Sequence, residues 1–543
     1  MKQFALRLIT SIENAPLTLG LFLTTFTALI VARLTVENAL GLFREQSFFF
    51  MYFEFTHTFF FFLCSLLILL PVVGYAGSID FKKSANVLLF GFLIILTPPI
   101  IDTLIFGGGF WSFYEFDGLV GLFWRFLTLF GDTPDIGITY GVRIEVVLVT
   151  LALGLYTYLK SKRFTRSLTV MLLTYGSLFV LGTFPSWITF FALAFQKSLL
   201  AINANDVAAL FLSPERVLGR DLTDFRSVLN YKMSLVYAVL VSFLSLLLLF
   251  KKYPVYFWAL INNARLPQLV YHAGLLLLGV ALAFYFGEGH IQPEFFHILS
   301  IGVLLIAVEC AWLASVIVND HYDTTIDSIT NPNRPLIENT IPGDVYHIFG
   351  IILFIVSLLF AGIVNFGALL ILLAYQALAW MYSAPPLRLK KYPGVATLLA
   401  ATCGILVLVL GFVATAPTHT ISTLPSAILW YLFLAYFLAL PIKDFKDIAG
   451  DKKDHIYTIP VLLGADVAKQ VIGSLTFLLF ALSPLVLNMR ALFIPALLCG
   501  SLVFFALQKG SDDESSFFAF RKLPAIILTL TLLYGIILTL FLF

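Results

Sequence analysis

Apolar runs long enough to cross a lipid bilayer recur along the whole chain, separated by short polar loops. A helix needs about 20 apolar residues to span the hydrocarbon core, where its backbone polar groups must be satisfied internally. A chain made of such runs folds as an all-α, polytopic membrane bundle. Composition agrees: of 543 residues, 60% are hydrophobic, 16% aromatic and only 12% charged, where a soluble chain carries about a quarter charged residues. A soluble globule, a disordered chain and a disulfide scaffold are excluded. So is a transmembrane β-barrel, whose segments of about ten residues alternate in polarity.

Six runs fall in the first half, at about 15–36, 48–74, 86–106, 141–159, 167–196 and 231–250. Between Gly107 and Tyr140 the chain is apolar but broken by Gly107-Gly108-Gly109, Asp117, Arg125, Asp132 and Asp135, which reads as an interfacial or re-entrant segment. Lys251-Lys252 and Asn262-Asn263 mark a junction, dividing the chain into residues 1–253 and 254–543. Nine runs follow, at about 267–287, 295–318, 345–364, 367–383, 395–415, 422–441, 465–487, 491–507 and 522–542. The first run is too long for a signal-peptide core and reads as a retained span.

Basic residues orient the bundle. With the N-terminus inside, alternation puts the loops at Lys82-Lys83, Lys160 to Arg166, Lys251-Lys252, Arg388 to Lys391, Lys443 to Lys453 and Lys509 to Lys522 on the cytoplasmic side. The loops near Glu37, Glu288 and Thr418 fall outside. The net charge of +2 leaves no footprint for nucleic acid. Cys64, Cys310, Cys403 and Cys499 each lie in an apolar run and read as packing residues.

Two of the inner loops are acidic. After the eighth run comes Asn319-Asp320-His321-Tyr322-Asp323-Thr324-Thr325-Ile326-Asp327, and after the twelfth Lys443-Asp444-Phe445-Lys446-Asp447-Ile448-Ala449-Gly450-Asp451. In both, the acids sit at i, i+3 and i+7, which on a helix places them on one face. One acidic helix end is commonplace; two with the same spacing on one side of the membrane are not. Six carboxylates at a low-dielectric boundary repel one another unless a cation sits among them. Oxygen ligands suit Mg²⁺, commonly held by carboxylates together with substrate phosphates. Arg334, Arg388, Lys390, Lys391, Lys443 and Lys446 accompany the acids and suit leftover phosphate charge.

These residues carry a resemblance. Asn319-Asp320-x-x-Asp323-x-x-x-Asp327 followed by Asn331-Pro332-Asn333-Arg334-Pro335, Tyr382-Ser383-Ala384-Pro385-Pro386-Leu387-Arg388-Leu389-Lys390, and Lys443-Asp444-x-x-Asp447-x-x-Gly450-Asp451 followed by Thr458-Ile459-Pro460 and Leu463-Gly464 together resemble the signatures of the UbiA-type intramembrane prenyltransferases. The resemblance covers about Leu266 to Phe543; the first half resembles no family. It implies a nine-helix bundle around a cavity, preceded here by an extra module of about six spans. It implies a transferase that binds a polyprenyl diphosphate through Mg²⁺, with two ions expected, and passes the prenyl group to a hydrophobic acceptor. By the resemblance, Asn319, Asp323, Asp327, Asp444 and Asp451 hold metal, and Asp320 and Asp447 are ligands or lie just behind them. Arg334, Lys390 and Lys443 contact the diphosphate, Tyr382 and Ser383 line the reacting end, and Arg388 binds substrate.

Glu309 lies ten residues before Asn319 in the same run, about 15 Å deeper at helical rise. An acid at that depth is a functional candidate, for acceptor binding or proton removal, or else a carboxyl paired with a polar neighbour or sitting protonated. Gln376 reads as an interhelical hydrogen bond, and His321 and His455 as solvated loop residues. The short motifs lean toward the lipid-forming and chlorophyll-type branches of the family; an aromatic-acid or quinone-precursor acceptor stays open. The reading of another class is a transporter using the acidic cluster. The first module is expected to dock a pathway partner, to deliver a lipid substrate, or to be a second enzyme of the same pathway.

Overall fold

The computed structural model describes residues 2–40, 48–106, 114–131, 137–213, 216–217, 220–221, 225–286, 294–392, 394–416, 420–453 and 457–542. The loop positions Glu288, Thr418 and His455 lie outside these. Apart from a ladder of two two-residue strands, Arg216–Val217 and Arg220–Asp221, the regular structure is helical. Among the described residues, fifteen helices are long and apolar enough to cross a membrane, so the chain is an integral, multi-pass membrane protein. Two compact units result: Met1–Arg216 with Asp221–Leu248, and Leu249–Phe543 with Val217–Arg220.

The first unit holds the spans Leu19–Ala39, Met51–Ala76, Phe81–Ile105, Tyr140–Ser161, Phe164–Gly182 and most of Phe225–Lys252. The run read from sequence as one span over 167–196 is two helices, because Pro185 cannot extend the ladder of Phe164–Gly182. It falls instead in the first turn of Phe184–Leu193, where a missing N–H is tolerated. A separate helix, Lys2–Glu13, precedes the first span. Its Glu13 pairs with Lys160 at 2.8 Å and accepts from the Tyr156 hydroxyl at 2.8 Å.

In the segment read as interfacial, Asp132 and Asp135 lie outside the described residues. Its described part carries a short helix, Leu119–Leu127, with Val120, Phe123, Trp124 and Leu127 exposed. Arg125 pairs with Glu115 at 2.5 Å and Asp117 at 2.7 Å. Elsewhere in this unit, three contacts join buried polar groups. Arg33 holds Glu37 at 2.9 Å, Asn230 donates to Glu54 at 2.7 Å, and His57 bonds the Tyr114 hydroxyl at 2.6 Å.

The second unit holds nine spans: Leu266–Phe286, Phe295–Tyr322, Gly343–Val364, Phe366–Ser383, Val395–Thr415, Ser426–Asp447, Ala465–Val486, Arg490–Gln508 and Leu523–Phe541. Small residues set its closest crossing. A Cβ at Gly279 would overlap the Leu408 carbonyl, and one at Gly411 the Leu276 carbonyl. Helices Leu266–Phe286 and Val395–Thr415 therefore touch backbone to backbone, as membrane helices do where glycines face each other. A second core joins Ala465–Val486 to Arg490–Gln508 through Phe480, Ala496, Cys499 and Val503. Between these layers lies a cavity of about 950 Å³, apolar over most of its wall and polar at the end where the motif loops meet.

Candidate active site

The first acidic motif does not run as one helix. Span Phe295–Tyr322 stops at Asp323, whose backbone (φ −109°, ψ 13°) leaves helical geometry, and a short helix Thr324–Thr330 follows. Asn319, Asp323 and Asp327 line the cavity. Asp320 does not, which corrects the expectation of one face for all three acids and gives Asp320 no ligand role there. Its side chain is 1% exposed and fully engaged on the other side of the helix. It accepts from Asn263 at 2.6 Å, from the Tyr346 hydroxyl at 2.8 Å and from Arg265 at 3.2 Å, and lies 3.6 Å from Arg334. The break explains the divergence: on an unbroken helix Asp320 would share a face with Asp323 and Asp327, and the change of direction at Asp323 separates them.

The second motif is also broken. Span Ser426–Asp447 ends in a tight 3₁₀ stretch, Leu440–Asp447, opened by Pro441, which has no N–H for the α-helical ladder. Residues three apart eclipse in such a turn, so Asp444 and Asp447 share a face. Asp451 follows on Ile448–Lys453, and all three line the cavity with Lys443 and Lys446. Thr458 donates to Asp451 at 3.4 Å, and Lys446 lies 3.9 Å from Asp447. Gly464 (φ +78°), in the left-handed half of backbone space, ends the Ile459–Leu463 turn.

The loop after span Phe366–Ser383 brings the cations. Lys390 is buried and bonds Asp323 directly; it also reaches Asn319 at 3.4 Å. Arg388, in a left-handed conformation, grips Asp323 at 2.9 Å and the Tyr322 carbonyl at 3.1 Å. It clamps Asp323 without lining the cavity, which corrects its reading as a substrate-binding residue. Ser383 donates to Asn319 at 3.1 Å, and the Lys443 ammonium lies 5.9 Å from the Tyr382 ring centre. Tyr382 and Ser383 line the cavity beside them.

Arg334 bonds Asn263 at 2.5 Å and lies 3.9 Å from Asp327 Oδ1, the same oxygen that accepts from Asn331 Nδ2 at 3.0 Å. Asp327 Oδ2 is buried with no hydrogen-bond partner. Burial pushes the Asp327 carboxyl up, against the pull of Arg334, and pushes the Arg334 and Lys390 groups down. Burial, with Asp444 and Asp447 nearby, raises Asp451 to about 7.

Glu309 does not line the cavity, and its Oε2 is buried without a hydrogen-bond partner. Its place off the cavity wall departs from the reading of Glu309 as a substrate-binding residue, a third correction after Asp320 and Arg388. Gln376 donates to Ser357 at 3.1 Å, and His321 is exposed. Sequence reasoning missed Asn263, Arg265 and Tyr346. Arg265 was legible as a lone arginine at the foot of a span on the motif side.

These residues suit a cation. Each motif offers oxygen ligands to the same cavity end, and one buried carboxylate oxygen is orphaned. Among the described residues no three His, Cys, Asp or Glu side chains come close enough to hold an ion unaided. Oxygens from a ligand are needed to complete the set, as expected for Mg²⁺.

The profile of the UbiA prenyltransferase family matches residues 275–523, and none matches the N-terminal half. The digeranylgeranylglyceryl phosphate synthase of Thermococcus sibiricus is 28% identical over 250 residues, covering 45% of this chain and 83% of that protein. The bacteriochlorophyll synthase 33 kDa chain of Rhodobacter capsulatus is 31% identical over 163 residues, 28% of this chain and 51% of that protein. Among solved structures, a UbiA homolog from Archaeoglobus fulgidus bound to GPP and Mg²⁺ is 19% identical. It covers 52% of this chain and 99% of its own, with a TM-score of 0.39.

Proposed function

We propose that the second half of this chain, a domain of the UbiA prenyltransferase family, moves a polyprenyl group from its diphosphate to a lipid-like acceptor within the membrane. The observation that carries this reading is the convergence of both acidic motifs and the Lys390 loop on one end of an apolar cavity. A prenyl diphosphate has the matching shape, a polyanionic head on a hydrocarbon tail.

Asn319, Asp323, Asp327, Asp444, Asp447 and Asp451 are the oxygen ligands offered to Mg²⁺, with two ions the natural count for two motifs. Bound there, Mg²⁺ supplies charge neutralisation for the departing diphosphate. Arg334, Lys390 and Lys443 meet the remaining phosphate charge, since positioned cations stabilise the negative oxygen that develops as the C–O bond breaks. Asp323 is held by Lys390 and Arg388, which fixes its carboxylate at the polar end of the cavity. Tyr382 and Ser383 border the reacting end. The apolar wall beyond them shelters the allylic cation from water.

The acceptor leans to a glyceryl-lipid phosphate or a tetrapyrrole, the products in the relatives' names. The basic loops support a cytoplasmic position for the site. The first unit is proposed to dock a pathway partner or deliver lipid. In the test, purified full chain is given labelled geranylgeranyl diphosphate, Mg²⁺ and a panel of acceptors. Prenyl transfer that needs Mg²⁺ and disappears in Asp323→Ala and Asp444→Ala supports the reading. Wild-type protein that neither binds nor consumes the diphosphate overturns it and restores the transporter.

A further inference from the structure

Prenylating a hydroxyl oxygen requires somewhere for its proton to go, and the acidic motifs, committed to cations, are poor acceptors. Among the described residues that line the cavity, one is a histidine. His272 lies on Leu266–Phe286, 2% exposed, and lines the cavity with Gln268 and Tyr375. Its Nδ1 is 2.8 Å from the Gln268 backbone carbonyl, one helical turn earlier. A carbonyl only accepts, so Nδ1 carries the hydrogen and the lone pair resides on Nε2. The Tyr375 hydroxyl lies 3.2 Å from that Nε2 and donates to it.

Depth agrees. His272 packs against Trp312 at 4.9 Å between ring centres. Trp312 is seven residues before Asn319, about 10 Å deeper along the helix. That is where an acceptor oxygen attacking the first prenyl carbon from the side away from the diphosphate would sit. On the same helix face, Gln268 Oε1 is buried and without a hydrogen-bond partner, a free acceptor for a ligand hydroxyl.

We infer that the acceptor is a hydroxyl-bearing lipid and that His272, through Tyr375, takes its proton. This rests on the prenyltransferase reading above. The acceptor oxygen forms a bond to the first carbon of the prenyl chain. The bond from that carbon to the diphosphate oxygen breaks, and its electron pair leaves with the diphosphate. The hydroxyl proton passes to Tyr375 oxygen as the Tyr375 proton moves to Nε2. The imidazolium then releases its proton to water with the product. A carboxylate acceptor has no proton to lose and needs no such base.

The test uses full chain in detergent, geranylgeranyl diphosphate, Mg²⁺, and a glyceryl phosphate bearing one geranylgeranyl ether and one free hydroxyl. His272→Gln should bind the diphosphate like wild type and keep its KM for acceptor, with kcat down about 100-fold, the loss expected for a missing general base. His272→Ala should regain transfer when imidazole is added, which a structural role would not allow. Wild-type kcat in His272→Gln overturns the inference. So does a loss in His272→Ala that imidazole leaves unchanged, or wild-type transfer only to a carboxylate or aromatic-carbon acceptor. Wild type that fails to bind the diphosphate at all overturns the underlying reading instead.

Discussion

Asp320→Ala separates a carboxylate that organises arginines from one that binds metal. In the structure its side chain is 1% exposed and faces Arg265 at 3.2 Å and Arg334 at 3.6 Å. Asn263 and Tyr346 also donate to it. Truncation strips two guanidiniums, 25% and 11% exposed, of their shared counter-charge. Removing one partner of a fully buried pair costs about 3–5 kcal/mol. Partial exposure of Arg265 puts this one at the lower end, about 3 kcal/mol. The thermal unfolding midpoint in detergent should fall clearly. Diphosphate affinity should weaken about tenfold, the scale of one displaced cation, because Arg334 keeps only its bond to Asn263 and the 3.9 Å pairing with Asp327. The Mg²⁺ concentration for half-maximal binding should not move. Asp320→Asn, which keeps an acceptor oxygen and the volume, should lose less. A variant with unchanged unfolding midpoint and a much higher Mg²⁺ requirement would refute the argument and return Asp320 to the metal.

Three further outcomes are expected. Lys390→Met should weaken diphosphate binding by about 10- to 100-fold, the worth of a charge-assisted hydrogen bond, measured by titration at saturating Mg²⁺. Mg²⁺ affinity should fall as pH drops below 7 and level off above it. Asp451 has its carboxyl raised to about 7 by burial, and a protonated carboxyl must lose its proton before it can ligate; a Mg²⁺ titration between pH 6 and 8 reads this directly. Gly279→Val should lower the unfolding midpoint by an amount equivalent to about 1–3 kcal/mol, since its side chain would meet the Leu408 carbonyl.

Fold class and span number were open to sequence reasoning because the hydrocarbon thickness imposes one length on every helix. What the pattern could not convey was local breakage. The split at Pro185 sits inside an unbroken apolar run, so hydropathy does not register it. The site was half legible. Residue types and spacing picked out Asp323, Asp327, Asp444, Asp447 and Asp451, because cation chemistry favours them, and the family resemblance added Asn319. Their directions were not legible. A regular helix was assumed through Asp323, where the backbone turns aside, and Asp320 was counted with the others although its partners come from helices distant in sequence. Asn263 and Tyr346 are ordinary polar residues until the fold brings them to Asp320. Glu309 was conspicuous for its depth, but depth alone does not say which wall a side chain faces.

The account's central claim is that both acidic motifs act on one prenyl diphosphate in one cavity. The direct measurement is Mg²⁺-dependent binding of geranylgeranyl diphosphate to the full chain in three forms: wild type, Asp327→Asn and Asp451→Asn. Binding that requires Mg²⁺ and weakens in each variant, with Mg²⁺ titrations displaced to higher concentration in both, is the predicted result. Binding indifferent to Mg²⁺, or sensitive to one motif and untouched by the other, would contradict it.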